Sequence, residues 1–298
     1  MATANYSIKD LEQITGIKAH TIRIWEKRYN IVQPQRTITN IRHYTDEDLK
    51  RLLSIAILNR HGLKISTIVS LSNEELNRNI VALSTKSLDL DSHIEGLVVA
   101  MIEVNEAKID KILNTLFLNI GFEDTFNKVI VPFFEKIGIL WQIGTISPAQ
   151  EHFITNLIRQ KMIVAIDGIV SPEEMVDRKR FLLFLPDGEL HEIALLYYSY
   201  LIQKRGHKVI YLGQMVPFED LLSISSYQNP DVLFTIFTTS PKNNKVEDYI
   251  GRLVSNFQNK KIFVSGIQFK MYQILLPDQV TLIDGYEKLK SELDHFES

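Results

Sequence analysis

The chain contains no cysteine. That excludes disulfides, thiolate metal sites and cysteine nucleophiles. No apolar run reaches the ~18 residues of a membrane-spanning helix, and no basic-then-apolar leader opens the chain. The expectation is a soluble, cytoplasmic protein with no membrane partner. Short internal repeats and low-complexity segments are also missing. No heptad pattern is sustained, which argues against a long coiled-coil seam. No G-x-G-x-x-G follows a strand, which disfavours dinucleotide binding. No lysine follows a Gly-rich run, and no serine lies in a nucleophile elbow. His43, His61, His93 and His207 have no partner at metal-ligand spacing, so they read as surface or packing residues. With these signatures missing, the chain is expected not to be an enzyme.

What is present is unevenly distributed. The net charge is −3, yet residues 1–60 hold ten Lys/Arg against six Asp/Glu, a net of +4. A positive head on an acidic body points to phosphate binding at one end. In the head, Ser7-Ile8-Lys9-Asp10 is a capping signal, followed by Ile8, Leu11 and Ile14 on one face. Thr15-Gly16 ends that helix. Residues 18–29 predict a second helix with Ile22, Trp25 and Tyr29 at core spacing. His20, Thr21, Arg23, Lys27 and Arg28 lie on its other faces. Two short helices joined by a Gly turn form a helix-turn-helix whose second helix enters the major groove. Pro34 breaks the chain. Residues 35–44 then predict a hairpin with Thr39-Asn40 at its tip, a wing whose Arg36 and Arg42 can reach phosphates. Thr45-Asp46-Glu47-Asp48 caps a helix over 49–61 that Gly62 closes. Its Leu49, Leu52, Leu53, Ala56 and Ile57 face a core.

The ordered series resembles the MerR family of transcription regulators over roughly residues 5–70. Thr21-Ile22-Arg23-Ile24-Trp25-Glu26, Pro34, Arg36, Arg42, Tyr44 and Asp48-Leu49 carry the resemblance. The Trp25-Glu26-Lys27-Arg28-Tyr29 form resembles the branch fused to cobalamin-binding domains. The resemblance implies that Arg23 and Arg42 contact the DNA backbone, with Thr21, Trp25 and Tyr44 beside them. His20, Thr21 and Lys27 are the candidate base readers.

Residues 79–172 are helical in period. Ser92-His93-Ile94-Glu95 reads as a capping box opening a helix through 104. Residues 106–120 form another, ended by Gly121. Residues 123–142 form a third, carrying Pro132. Ser147-Pro148-Ala149-Gln150 opens a fourth that runs to about 167. Four amphipathic helices with short joints predict a four-helix bundle. Trp141 precedes Glu151-His152 by one joint, so an antiparallel pair would place them at one bundle end. The plain reading is a core Trp and two polar surface residues. The spacing is similar to the Trp-x9-Glu-His signature of light-sensing cobalamin regulators. That resemblance implies that Trp141 covers the upper face of the cofactor, with Glu151 and His152 near its adenosyl group. Gln142 stands where those sensors carry a histidine. An amide is a poor cobalt ligand, which argues against a bis-histidine photoproduct.

Residues 178–298 alternate strands and helices. Strands are expected at 181–185, 208–212, 232–237, 261–264 and 280–283. Helices are expected at 189–205, 217–227, 246–257 and 286–296, with Tyr197, Tyr198 and Tyr200 divided between helix surface and core. This predicts a doubly wound parallel sheet, whose ligand lies beyond the strands' carboxyl ends: 186–191, 235–240 and 265–268. Glu189-Leu190-His191 sits at the first of these. It resembles the D/E-x-H-x-x-G motif of cobalamin-binding domains. The resemblance implies that His191 ligates cobalt from below while Glu189 polarises its other ring nitrogen. Three places depart from the motifs. Ala194 replaces a Gly, Thr235-Ile236-Phe237 stands for S-x-L, and Ser265-Gly266 for a Gly pair.

The expected organisation is a winged helix-turn-helix head (1–78), a helical bundle (79–172) and a Rossmann-like cobalamin-binding-type domain (178–298). The expected function is a regulator of promoter DNA, a homo-oligomer (dimer or tetramer), with adenosylcobalamin as the sensed cofactor. Two alternatives stand beside it. One is a degenerate sensor for a protein or another small ligand. The other is a corrinoid carrier of an enzyme system, which leaves the basic head unexplained and no room for a catalytic barrel of ~250 residues.

Overall fold

The computed structural model describes residues 6–36, 41–60, 62–72, 75–76, 79, 90–142, 146–169, 178–239, 245–272 and 274–296. The wing tip Thr39-Asn40, His61 and Ser240 lie outside the described residues. The chain divides into two compact units, Met1–Ile154 and Thr155–Ser298.

In the first unit, local chemistry sets the helix ends. Ser7 Oγ accepts from the Asp10 N–H, and Asp10 accepts from the Ser7 N–H, opening α1 (Ile8–Thr15). Gly16, at φ 72°, closes it in the left-handed region. Glu12 then bridges the turn, accepting from the Ala19 N–H at 3.1 Å and pairing with Lys18 at 3.2 Å. This fixes the start of α2 (Ala19–Tyr29). Of the three expected core positions on α2, Ile22 is fully buried, whereas Trp25 and Tyr29 are half-buried. The wing is an antiparallel pair, β1 (Gln35–Arg36) and β2 (Arg42–His43). Thr45 and Asp48 exchange capping bonds at the start of α3 (Asp46–Arg60).

Helix α3 is buried nearly all round. Besides the five expected residues, Ser54, Ile55 and Leu58 are covered. The reason is that α3 also packs against α5 (Leu90–Ile102), beyond the one-turn α4 (Ile65–Ile68). Here the capping box expected at Ser92 is corrected. Leu90 and Asp91 are already helical, and Ser92, His93 and Glu95 are buried inside the helix. Glu95 is there because Arg60, at the end of α3, reaches it at 2.7 Å. Burial raises the Glu95 carboxyl above its ordinary range despite Arg60, and burial lowers Lys136 nearby. Arg60→Ala is therefore expected to cost about 2 kcal/mol near neutral pH, because it strips a buried carboxylate of its main partner. The loss should shrink as acid protonates Glu95. Urea melts at two pH values would check both points.

The next helix, α6 (Glu106–Thr125), is broken at Gly121, whose φ of 79° only glycine adopts without strain. A single π turn, Phe126–Ile130, leads into α7 (Val131–Gln142). Pro132, with no N–H to give, stands just after that turn. Ser147 and Gln150 exchange capping bonds at the start of α8 (Pro148–Asp167), as expected.

The second unit is a five-stranded parallel sheet in the order β4-β3-β5-β6-β7. Its strands are β3 (Arg180–Pro186), β4 (Lys208–Val216), β5 (Val232–Ile236), β6 (Lys261–Ser265) and β7 (Val280–Leu282). Strand β4 runs past the expected end at 212. With residues 155–167 of α8, helices α9 (Ile193–Lys204), α10 (Phe218–Gln228), α11 (Val246–Asn256), the short α12 (Gln268–Met271) and α13 (Tyr286–Asp294) complete the unit among the described residues. Leu182, Phe184, Leu233, Phe237, Ile262 and Val264 pack with residues of α10 and α11 on one face. On the other, Phe234 stacks on Tyr198 of α9 at 4.8 Å, and Phe263 lies 6.3 Å from Phe296. Tyr197, Tyr198 and Tyr200 are all buried, which corrects the expectation of a partly exposed cluster.

Candidate functional site

The head presents one cationic face. His20, Arg23, Lys27, Arg28 and Arg36 are exposed, Thr21 is half-buried, and Trp25 is half-buried beside them. Arg42 and Tyr44 differ from the rest. Both turn to Glu26 of α2: Arg42 Nε lies 3.3 Å from one carboxylate oxygen, and the Tyr44 hydroxyl donates to the other at 3.2 Å. Across the wing, Arg36 pairs with Arg42, a like-charge juxtaposition that Glu26 relieves. Burial, then the Glu26 charge, pushes the Tyr44 hydroxyl up to about 12, so it remains a neutral donor. Tyr44 is fully buried. Its expected exposure beside the arginines is therefore corrected: it is buried and fixes Glu26, and through Glu26 Arg42. Sequence reasoning gave Glu26 no role, because its partners lie 16 and 18 residues away.

At the bundle end, Trp141 closes α7 with 60% of its surface exposed, so it is not the core tryptophan of the plain reading. His152 Nδ1 lies 2.9 Å from Glu151 in the first turns of α8, and its side chain is 72% exposed.

In the α/β unit, Glu189 is a buried carboxylate at the carboxyl end of β3. One oxygen accepts from the Leu190 N–H, the His191 N–H and His191 Nδ1, the last at 2.5 Å. The other accepts from the Thr238 and Thr239 N–H groups and the Thr239 hydroxyl. Burial alone would raise this carboxyl. The bonds from His191 and Thr239 outweigh it and hold the value at about 2. These bonds also explain why the helix expected from 189 starts only at Ile193: residues 190–191 give their N–H groups to Glu189 instead of to a helix. An ionised carboxylate only accepts, so His191 Nδ1 carries the hydrogen. In the neutral ring this leaves Nε2 as the nitrogen able to ligate a metal, and the side chain is 58% exposed.

The next residue, Glu192, is buried. It receives Arg159 Nε at 2.7 Å and the Tyr211 hydroxyl at 3.0 Å. Burial and then Glu192 raise Tyr211, and the bond to Glu192 raises Arg159. This triad was missed, although an acidic residue just before a helix start was a usable signal.

The remaining candidates fall elsewhere. Ala194 is exposed. Thr235 shares the sheet face of Leu233 and Phe237, and its hydroxyl is buried with no partner among the described residues. Ser265 bonds the Tyr198 hydroxyl at 3.2 Å, on the α9 side. Gly266, at φ +118°, has the Phe237 backbone oxygen 2.2 Å from where a Cβ would stand. Internal packing alone therefore demands glycine there. Among the described residues, no group of three or more His, Asp or Glu is arranged to hold a metal ion. No helix among them is long and apolar enough to cross a membrane.

Comparison with known proteins matches two parts of the chain. Residues 6–75 match the family model of MerR HTH family regulatory proteins, and residues 93–166 match that of a B12 binding domain. The chain thus carries a MerR helix-turn-helix domain followed by a B12-binding-type domain. It is homologous to two repressors of Myxococcus xanthus. HTH-type transcriptional repressor CarH is 27% identical over 259 residues, covering 85% of each chain. HTH-type transcriptional repressor CarA is 26% identical over 232 residues, covering 77% of this chain and 75% of that protein. Among solved structures, the Methanosarcina barkeri monomethylamine corrinoid protein aligns with a TM-score of 0.49 and 14% identity, over 66% of this chain and 94% of that one.

Proposed function

We propose that the chain is a DNA-binding transcriptional regulator with three working modules. The head, 1–78, holds the promoter; the helices of 79–172 and the α/β module of 178–298 sense a corrinoid. The observation that carries the DNA reading is the exposed cationic strip of α2 beside a basic wing, on a chain whose remainder is acidic. Phosphate contacts from Arg23 and Arg36 supply affinity, and residues of α2 supply readout. Oligomerisation would let two heads meet two half-sites, and a ligand preferring the assembled state would stabilise it by its differential affinity.

The corrinoid reading rests on the donor set of the α/β module. His191 presents an imidazole whose tautomer is fixed by a buried carboxylate, the arrangement that orients a metal-ligating histidine. When bound, a corrinoid supplies a cobalt centre whose ligation can change. Trp141, Glu151 and His152 are the proposed contacts on the helical module, and Gly266 and Thr235 are the proposed contacts on the sheet. Wild-type protein incubated with adenosylcobalamin should retain it through gel filtration with an altered absorbance spectrum. His191→Ala should lose at least about tenfold in affinity, the scale of one removed ligand interaction. Retention and spectrum unchanged in His191→Ala would remove His191 as the ligand.

One observation favours a sensor without a corrinoid. Gly266 is required by Phe237, and Thr235 faces away from Ser265, so neither residue is explained only by a cofactor. No corrinoid retention by the wild type would leave this reading, with a protein or another small ligand as the signal.

A further inference from the structure

On α2, Ile22 is completely buried and Ile24 is 55% exposed. The burial of Ile22 fixes the rotation of the helix, so Ile24 is held outward and is not a slipped core residue. Its neighbours on the outward strip are His20 one turn before it, Arg23 beside it, and Lys27 and Arg28 one turn after it, all exposed. An aliphatic β-branched side chain there contributes nothing to the head's core, and its helix propensity is below that of Arg or Lys. Single exposed apolar residues are ordinary. This one differs in standing at the centre of a cationic strip, the part of the helix that duplex phosphates would draw closest.

We propose that Ile24 is a specificity-determining residue that reads the 5-methyl group of thymine in the major groove. The inference rests on the DNA-binding reading above. The chemistry is restrictive. A side chain made only of methyl and methylene groups cannot hydrogen-bond a base edge. The apolar feature that the major groove offers is the thymine methyl. Arg23 and Arg28, on the same strip, would gain most of their binding energy from phosphates, and that positions the helix without specifying sequence. Ile24 adds the sequence-dependent contact between them.

The test uses full-length protein and duplexes enriched by it from a random pool. Thymines in an enriched duplex are replaced one at a time by uracil, which removes only the methyl. Wild-type protein should lose about fourfold in affinity at one position per half-site, the value of one buried methyl-sized group. Ile24→Ala should bind the thymine and uracil duplexes alike while keeping the salt dependence of the wild type. Steep salt-dependent binding by the wild type with no uracil position costing more than about twofold would overturn the inference and leave the DNA-binding reading standing. An unchanged thymine-to-uracil ratio in Ile24→Ala would overturn it as well. No salt-dependent duplex binding by the wild type would overturn the DNA-binding reading and this inference with it. The uracil series needs no variant, so it decides the matter even if the substitution disturbs the head.

Discussion

Arg23→Ala combined with Arg36→Ala is expected to weaken duplex binding by about a hundredfold at moderate salt and to reduce the slope of log K against log salt by about 2. Both side chains are exposed, one on α2 and one on the wing, and the charge of the chain is concentrated around them. The loss should be nearly the same on specific and random duplexes, because phosphates carry no sequence information. Arg42→Ala should cost less than Arg23→Ala, since Arg42 already has Glu26 as its anion. Fluorescence anisotropy across a salt series measures all of this. A double variant with the wild-type slope would place the duplex elsewhere on the molecule.

Glu189→Ala is expected to destabilise the α/β unit by about 3 kcal/mol, the cost of removing a buried acceptor shared by four backbone N–H groups, the Thr239 hydroxyl and the His191 ring. His191→Ala should cost much less, because its ring is largely exposed. The pH dependence follows from sign. The folded value near 2 lies below the ordinary 4.5, so the ionised group stabilises the fold. That contribution, about 3 kcal/mol, is complete above pH ~4.5 and fades as the pH falls towards 2. The difference in unfolding free energy between wild type and Glu189→Gln should therefore narrow over that interval. A constant difference would mean that Glu189 is not held ionised by its donors.

Legibility in the sequence followed distance along the chain. The caps at Ser7, Thr45 and Ser147 were readable because both partners of each lie within four residues. The strands of the sheet were readable because a buried parallel strand is a short, nearly continuous apolar run. The opening of α5 was misread because Ser92 and Glu95 look like a local box. Their burial is decided instead by Arg60, 35 residues from Glu95. Tyr44 looked like a surface residue on a wing, and it is buried through a bridge to Tyr6 and a bond to Glu26. In the α/β unit, the Glu189–His191 contact was legible at a spacing of two. The donors from Thr238 and Thr239, about fifty residues on, were not. In the Arg159–Glu192–Tyr211 triad, the acidic residue before a helix start was the local sign, while its partners, 33 and 19 residues away, were not legible.

The carboxylate of Glu26 has a bearing on how the head meets random polyanions. Its grip on Arg42 means that a phosphate can claim that guanidinium only by displacing an anion already in place. Attachment of the wing is then an exchange, and its net yield is smaller than the count of arginines implies. Stray nucleic acid, offering phosphates in poor register, is disadvantaged in that competition relative to a duplex that seats α2 first.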